Sequence, residues 1–186
     1  MKNFIETKRL ILRELHFTDL ENMYELHSNV QVHQYLGNKT VNCREQAAEI
    51  IDFVRQQYID NGIGRWAMVL KSTNEFVGWS GLKFNNTITN NQINYHDLGY
   101  RLLPKFWGNG YATESAIASL NYGFDILNLN EVFAAAHINN LASNYILKKI
   151  GFQLVGVFMY ENEMNNWYVI NRSLWETKSN AYFGLK

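Results

Sequence analysis

The chain lacks most of what would place it in an oxidising compartment or in a membrane. Its 186 residues include one cysteine, Cys43, so no intrachain disulfide can form and a reducing compartment fits. Cys43 itself reads as a small, half-buried residue near a helix start. No apolar run approaches the ~20 residues that a membrane-crossing helix needs. Met1-Lys2-Asn3-Phe4-Ile5-Glu6 turns charged before any apolar stretch that could serve as a signal peptide. A cytoplasmic protein with no membrane partner is expected. Neither charge sign is in excess, with 17 basic and 17 acidic residues, so no global field draws in nucleic acid. The zinc and hydrolase patterns H-E-x-x-H, C-x-x-C and G-x-S-x-G do not occur, and no metal is expected.

What is present suits one globular domain, since 47% of residues are apolar, 15% are aromatic and 18% are charged. The expected domain spans residues 1–177, with a loose tail over 178–186. Arg9 to Arg13 reads as a strand, and Thr18-Asp19-Leu20-Glu21 supplies a capping box for a short helix. Asn42 and Glu45 start a longer helix with Ala47, Ile50, Ile51, Val54 and Tyr58 on one face, ending near Asn61-Gly62. Strands are expected over Arg65 to Lys71, Phe76 to Phe84 and Ile93 to Leu103, then a helix from Asn109 to Phe124 and a strand from Glu131 to Ala136. Strand, helix, strand implies a parallel crossover. A helix from Leu141 to Ile150 stops at Gly151, and strands follow over Phe152 to Tyr160 and Trp167 to Trp175. The expected architecture is α/β, a mixed sheet with helices on both faces.

The chemistry concentrates in Asp97-Leu98-Gly99-Tyr100-Arg101-Leu102-Leu103-Pro104-Lys105-Phe106-Trp107-Gly108-Asn109-Gly110-Tyr111-Ala112-Thr113-Glu114. Pro104 is the only proline, and because it cannot donate to a ladder, strand pairing stops or diverges there. Gly108 and Gly110 permit positive φ and a close backbone approach just where a helix presents free N–H groups, which makes an anion site. A structural strand-to-helix turn explains a lone glycine pair equally well. No P-loop occurs, and the third glycine of the dinucleotide fingerprint is missing.

Lys105 to Glu114 resembles the acyl-CoA signature of the GNAT acetyltransferase superfamily, and its Trp-Gly-x-Gly-Tyr-Ala-Thr-Glu wording resembles the RimJ/RimL-like branch of ribosomal-protein N-terminal acetyltransferases. Three further blocks agree in order: Thr7 to Arg13, Asp97 to Tyr100, and Asn140-Leu141-Ala142-Ser143 leading to Lys149-Ile150-Gly151-Phe152. The resemblance implies a single-domain, mostly antiparallel sheet of six or seven strands with splayed central strands. It implies acetyl-CoA as cofactor, held by Leu102, Leu103, Trp107, Gly108, Asn109, Gly110, Tyr111 and Ala112, with Asn140 and Ser143 on the other wall. Lys105 stands where family members usually have Gln or Arg, and a charge attraction to phosphate is expected of it.

An alkylammonium with a pKa of ~10.4 is mostly protonated at neutral pH, a handicap of roughly 4.6 kcal/mol, so the amine must lose a proton before attack. The resemblance suggests a backbone N–H near Leu102 or Leu103 for the oxyanion, Ser143 as donor to the departing thiolate, Asn140 as its helper and Asp97 as base. Asn140 and Ser143 also suit helix capping. Asp97 also suits an ion pair with Arg13 or Arg101. His96, His33, His137 and Glu161 are further candidate bases acting through water. Many superfamily members carry a tyrosine where Leu147 stands, and Tyr145 lies on about the opposite side of the helix. A non-catalytic acyl-CoA-binding module of the same fold is therefore the alternative. The expected partner is a small-molecule or peptide amine, bound near Gln34-Tyr35 and Glu161 to Asn166 by a monomer or homodimer, without nucleic acid.

Overall fold

The computed structural model describes residues 5–183. The leading segment read above falls mostly outside them, and residues 184–186 of the expected tail lie beyond them.

Eight strands form one sheet: β1 (Ile5–Glu6), β2 (Leu10–Arg13), β3 (Trp66–Leu70), β4 (Phe76–Asn85), β5 (Tyr95–Leu102), β6 (Glu131–His137), β7 (Gln153–Tyr160) and β8 (Glu163–Asn171). Their order is β1-β2-β3-β4-β5-β6-β8-β7. Only β5 and β6 pair in parallel, so the sheet is mixed and mostly antiparallel. Six or seven strands were expected. The extra one, β1, is two residues long and carries no periodicity that a sequence could show.

The helices are α1 (Leu20–Ser28), α2 (Val30–His33), α3 (Arg44–Asn61), α4 (Tyr111–Asn121), α5 (Leu141–Lys149) and α6 (Arg172–Phe183). Side chains alternate across a strand, so cross-strand contacts identify what covers each face. Trp79 of β4 reaches His27 of α1, while Trp66 of β3 packs edge-on to Tyr122 just after α4. Helices therefore cover both faces, with the first helices on one side and α4 on the other.

The C-terminal third departs from expectation. β8 starts at Glu163 and not at Trp167, because Glu161 and Asn162 form a two-residue hairpin turn with φ of 47° and 64°. The strand ends at Asn171, whose Oδ1 accepts the Leu174 N–H and starts α6. Trp175 is 3% exposed and stacks on Phe124, so the segment folds back as a helix through Phe183 where a loose tail was expected from Lys178. Near the start, the N-cap position of α1 is Asp19, one residue later than the capping box implied, and that of α3 is Cys43 and not Asn42, with no side-chain capping bond at either.

Candidate active site

The site is built by the way β5 parts from β6. Leu103 N–H donates to Val77 O of β4 at 3.0 Å, and β4 and β5 keep an unbroken register back to Asn85 and Tyr95. A strand residue turns its own N–H and C=O to the same side, and successive residues alternate. Leu98, Tyr100 and Leu102 therefore direct their backbone polar groups away from β4, toward β6. The parallel pairing with β6 is confined to Asp97 and Phe133. Beyond it the strands separate, five residues ahead of Leu102, whose carbonyl accepts the Trp107 indole N–H at 2.8 Å. The divergence thus begins well before Pro104, which instead opens a short 3-10 turn, Pro104–Phe106. Of the two candidates for the expected free amide, Leu103 is spent on Val77 and Leu102 remains on the groove side.

Past that turn, Gly108 and Gly110 sit at φ of 75° and 80°, in the left-handed region that glycine enters without strain. A Cβ on Gly108 would meet open space. Gly110 is the N-cap of α4, no side chain caps the helix, and the first N–H to find an intrahelical carbonyl is that of Glu114. Tyr111, Ala112 and Thr113 amides are therefore left for an anion. Arg9 braces this corner. Its Nε donates to Glu114 at 2.7 Å, its Nη1 to Asn109 O at 2.9 Å, and its guanidinium lies 4.5 Å from the Tyr111 ring. Thr7 Oγ1 also donates to Glu114, at 2.6 Å. Two sequence blocks about a hundred residues apart are thus one structural unit, with the burial of the Glu114 carboxyl outweighed by these donors so that its pKa is lowered.

The opposite wall is the start of α5. Asn140 Oδ1 accepts the Ser143 N–H at 3.1 Å, so Asn140 caps the helix. Ser143 Oγ shares a 3.1 Å hydrogen bond with the Tyr100 hydroxyl, whose pKa burial raises. Asn144 fixes this wall from behind, donating to the carbonyls of His137 and Asn140 and accepting from Asn166 and Tyr168. Leu147 is buried, and Tyr145 is 65% exposed.

Asp97 has both oxygens engaged, Oδ2 by Arg65 Nη2 at 2.7 Å and Oδ1 by Asn85 Nδ2 at 2.8 Å. The ion-pair reading holds, with Arg65 as partner; Arg13 binds Asp19, and Arg101 faces His27 and His33. Arg65 also donates to Gly81 O, and it lies so close across Gly99 that a Cβ there would come within 2.8 Å of Nη2. The alternative bases are also engaged. His137 Nε2 meets Glu163 at 2.9 Å, Glu161 pairs with Lys39 at 2.8 Å, and burial lowers the pKa of His96.

A cleft of ≈ 670 Å³ joins these parts. It brings together Asp97, Tyr100, Leu102, Trp107, Gly108, Gly110, Tyr111, Ala112, Asn140 and Ser143, and at its other end Gln34, Tyr35 and Asn165. Leu103, Lys105 and Asn109 are not on its wall. Leu103 is 1% exposed in the core, Lys105 lies over the Phe106 ring and 4.0 Å from Glu75, and the Asn109 side chain donates to Trp107 O. Arg101 and Trp79 also line the cleft, and no motif gave either a place in the site; only their alternation along paired strands could have done so. A second depression of ≈ 860 Å³ flanks α4 beside Ile5 to Lys8, sharing Gly110, Thr113 and Lys149 with the cleft but neither Leu102 nor the Ser143–Tyr100 hydroxyl pair. The slot between β5 and β6, the uncapped helix start and the open space at Gly108 fit a phosphate-bearing thioester with an extended arm.

The GNAT acetyltransferase domain model matches residues 9–153. An N-acetyltransferase of Bacillus subtilis, YoaA, whose own role is uncharacterized, is 34% identical over 85% of this chain and 89% of its own length. The spermidine N(1)-acetyltransferase of Escherichia coli is 26% identical over 84% of this chain and 80% of its own. The crystal structure of a GNAT-family acetyltransferase from Bacillus anthracis superposes with a TM-score of 0.75 at 26% identity, covering 91% of this chain and 99% of that one. Built on a splayed β5–β6 slot and an uncapped α4, and matched over most of its length, the chain belongs to the GNAT acetyltransferase family and is an acetyl-CoA-dependent N-acyltransferase.

Proposed function

We propose that the enzyme acetylates a primary amine by direct attack within a ternary complex, in the cleft between β5 and β6. One observation carries this reading: the groove-side backbone of Leu102, the free amides of Tyr111 to Thr113 and the Ser143–Tyr100 hydroxyl pair all face one slot. Acetyl-CoA supplies the thioester. The Tyr111, Ala112 and Thr113 amides hold phosphate through the helix dipole, with Gly108 and Gly110 allowing close approach. The groove-side N–H of Leu102 is the donor for charge developing on the acyl oxygen.

The transfer makes a C–N bond and breaks a C–S bond, so one proton leaves nitrogen and one reaches sulfur. Ser143 Oγ–H donates a hydrogen bond to the departing sulfur, which takes its proton from water in the open cleft, while Tyr100, held protonated by burial, orients the Ser143 hydroxyl across their shared hydrogen bond. Asn140 positions Ser143 by capping α5. Asp97, with both oxygens engaged, acts as base only by releasing Asn85 or Arg65, and we give it the positioning of Arg65. The amine's proton leaves to water at the open end lined by Gln34, Tyr35 and Asn165. The wording of Trp107 to Glu114 supports a RimJ/RimL-like relationship, and the location is read as cytoplasmic.

The test is thiol release from acetyl-CoA across a panel of amines, with CoA affinity measured separately. CoA binding with no release for any amine would refute the reading and leave the binding-module alternative.

A further inference from the structure

Arg101 is a cation without a counter-ion. Among the described residues it forms no salt bridge, and its hydrogen-bond partners are two histidines, His27 Nδ1 at 3.0 Å and His33 Nε2 at 3.3 Å from Nη1. Both histidines are 5% exposed. Burial and the neighbouring guanidinium push their pKa values down to about 3 and about 4, so both are neutral. Arg65, a second cation already matched by Asp97, adds repulsion at Arg101 and no compensation.

Acceptors are also too few. Both ring nitrogens of His27 face donors, Arg101 Nη1 and, at 3.4 Å, Trp79 Nε1, yet a neutral imidazole accepts at one nitrogen only. His33 Nε2 accepts from Arg101, which leaves the proton on Nδ1, directed at the Lys39 backbone carbonyl, so His33 has no second acceptor to offer Arg101. Arg101 bonds through Nη1 alone, its guanidinium lies 5.1 Å from the Trp79 ring, and it lines the cleft, where Nε and Nη2 keep donors free. Buried cations and donors normally find partners. Here the missing partner is a negative group entering from the cleft.

Arg101 shares its strand face with Asp97 and Gly99, the face covered by α1 and α2, and so opens on the amine side of the slot and not on the side of α4. Asp97 is the one carboxylate among the residues lining the cleft. A polyamine would find no free acid there and would meet Arg101.

We infer that Arg101 anchors a carboxylate carried by the acceptor, so that the enzyme acetylates an amino-acid-type amine and not a polyamine. This rests on the acetyl-transfer reading above. Arg is suited to the role because its planar fork meets both oxygens of a carboxylate.

The experiment compares matched acceptors at saturating acetyl-CoA: α- and ω-amino acids, their carboxamides, and spermidine. At least one acid should exceed its amide by about tenfold or more in kcat/KM. Arg101→Gln should erase that preference through KM, leaving the amide within about twofold, and Arg101→Lys should keep part of it. In the CoA-loaded protein, the Trp79 indole N–H resonance should move on titration with the preferred acid and stay in place with its amide. Wild-type preference for spermidine or for amides, or an acid-to-amide ratio unchanged by Arg101→Gln, would overturn the inference while leaving acetyl transfer intact. No thiol release from any amine would refute the acetyl-transfer reading. In that case the Trp79 resonance still decides whether a carboxylate binds.

Discussion

Acid should loosen this fold earlier than its carboxylates require. His27 is 5% exposed and held neutral down to about pH 3, and His33 down to about pH 4. In the unfolded chain a histidine takes up its proton near pH ~6.5. Their folded values are depressed, so below that point the unfolded state binds protons the native state refuses. Stability is therefore present above the unfolded value and is lost as pH falls from there toward the folded values. Between about pH 8 and about pH 5, a histidine with a folded value near 3 costs about 2 kcal/mol, and the pair costs between about 2 and about 4 kcal/mol. Asp19 and Glu114, whose pKa values are lowered, act at lower pH, because their unfolded carboxyls do not protonate until near pH ~4. His96, whose pKa burial also lowers, acts in the same direction, so replacements are needed to assign the effect. Urea midpoints at a series of pH values, for wild type and for the His27→Gln and His33→Gln variants, measure it. A midpoint that stays flat from about pH 8 to about pH 5, or a slope that neither replacement reduces, would refute the neutral-histidine cluster.

Four substitutions probe the rest. Ser143→Ala should lower kcat by about a hundredfold while CoA affinity stays within about twofold, as read from single-turnover rates and calorimetry. Asp97→Asn should cost about 1–2 kcal/mol, since the pair it breaks is part-exposed, and should leave the shape of the pH–rate profile unchanged; a lost acidic limb would restore Asp97 as base. Gly110→Ala puts a Cβ at a φ of 80°, so a loss of about 1 kcal/mol in stability and a weaker CoA affinity are expected, measured on one sample by melting with and without CoA. Trp175→Ala empties the contact with Phe124 and should lower stability by about 3 kcal/mol in a urea titration.

The parts legible from sequence were those written in local signals. Gly110 before Tyr111, Asn140 before Leu141 and Gly62 after Asn61 each mark a helix end, because backbone conformation and free amides choose those residue types. Pairwise outcomes were hidden. Asp97 was matched with Arg13 or Arg101, and only the register, with Lys83 opposite Asp97 and Gly81 opposite Gly99, brings Arg65 across to it. Leu102 and Leu103 could not be separated either, since which amide is free depends on strand parity, fixed by the Leu103–Val77 bond. Helix α6 was missed because Trp167 to Trp175 reads as one aromatic run, while the strand stops at Asn171, where a side chain caps the next helix.

That same parity divides the labour of the site. Leu98, Tyr100 and Leu102 face α4 and α5 and offer a hydroxyl and groove-side amides, while Asp97, Gly99 and Arg101 face α1 and α2 and carry the charges. Gly99 sits between the two charged residues because Arg65 needs the room above it to reach Asp97. A side chain there would push Arg65 off its carboxylate and leave two uncompensated guanidiniums on one strand face. Because Asp97 neutralises Arg65 from within the protein, Arg101 is left as the unmatched charge on this strand face, and under the proposal above the strand that carries the acyl oxygen's donor also sets the charge of the acceptor.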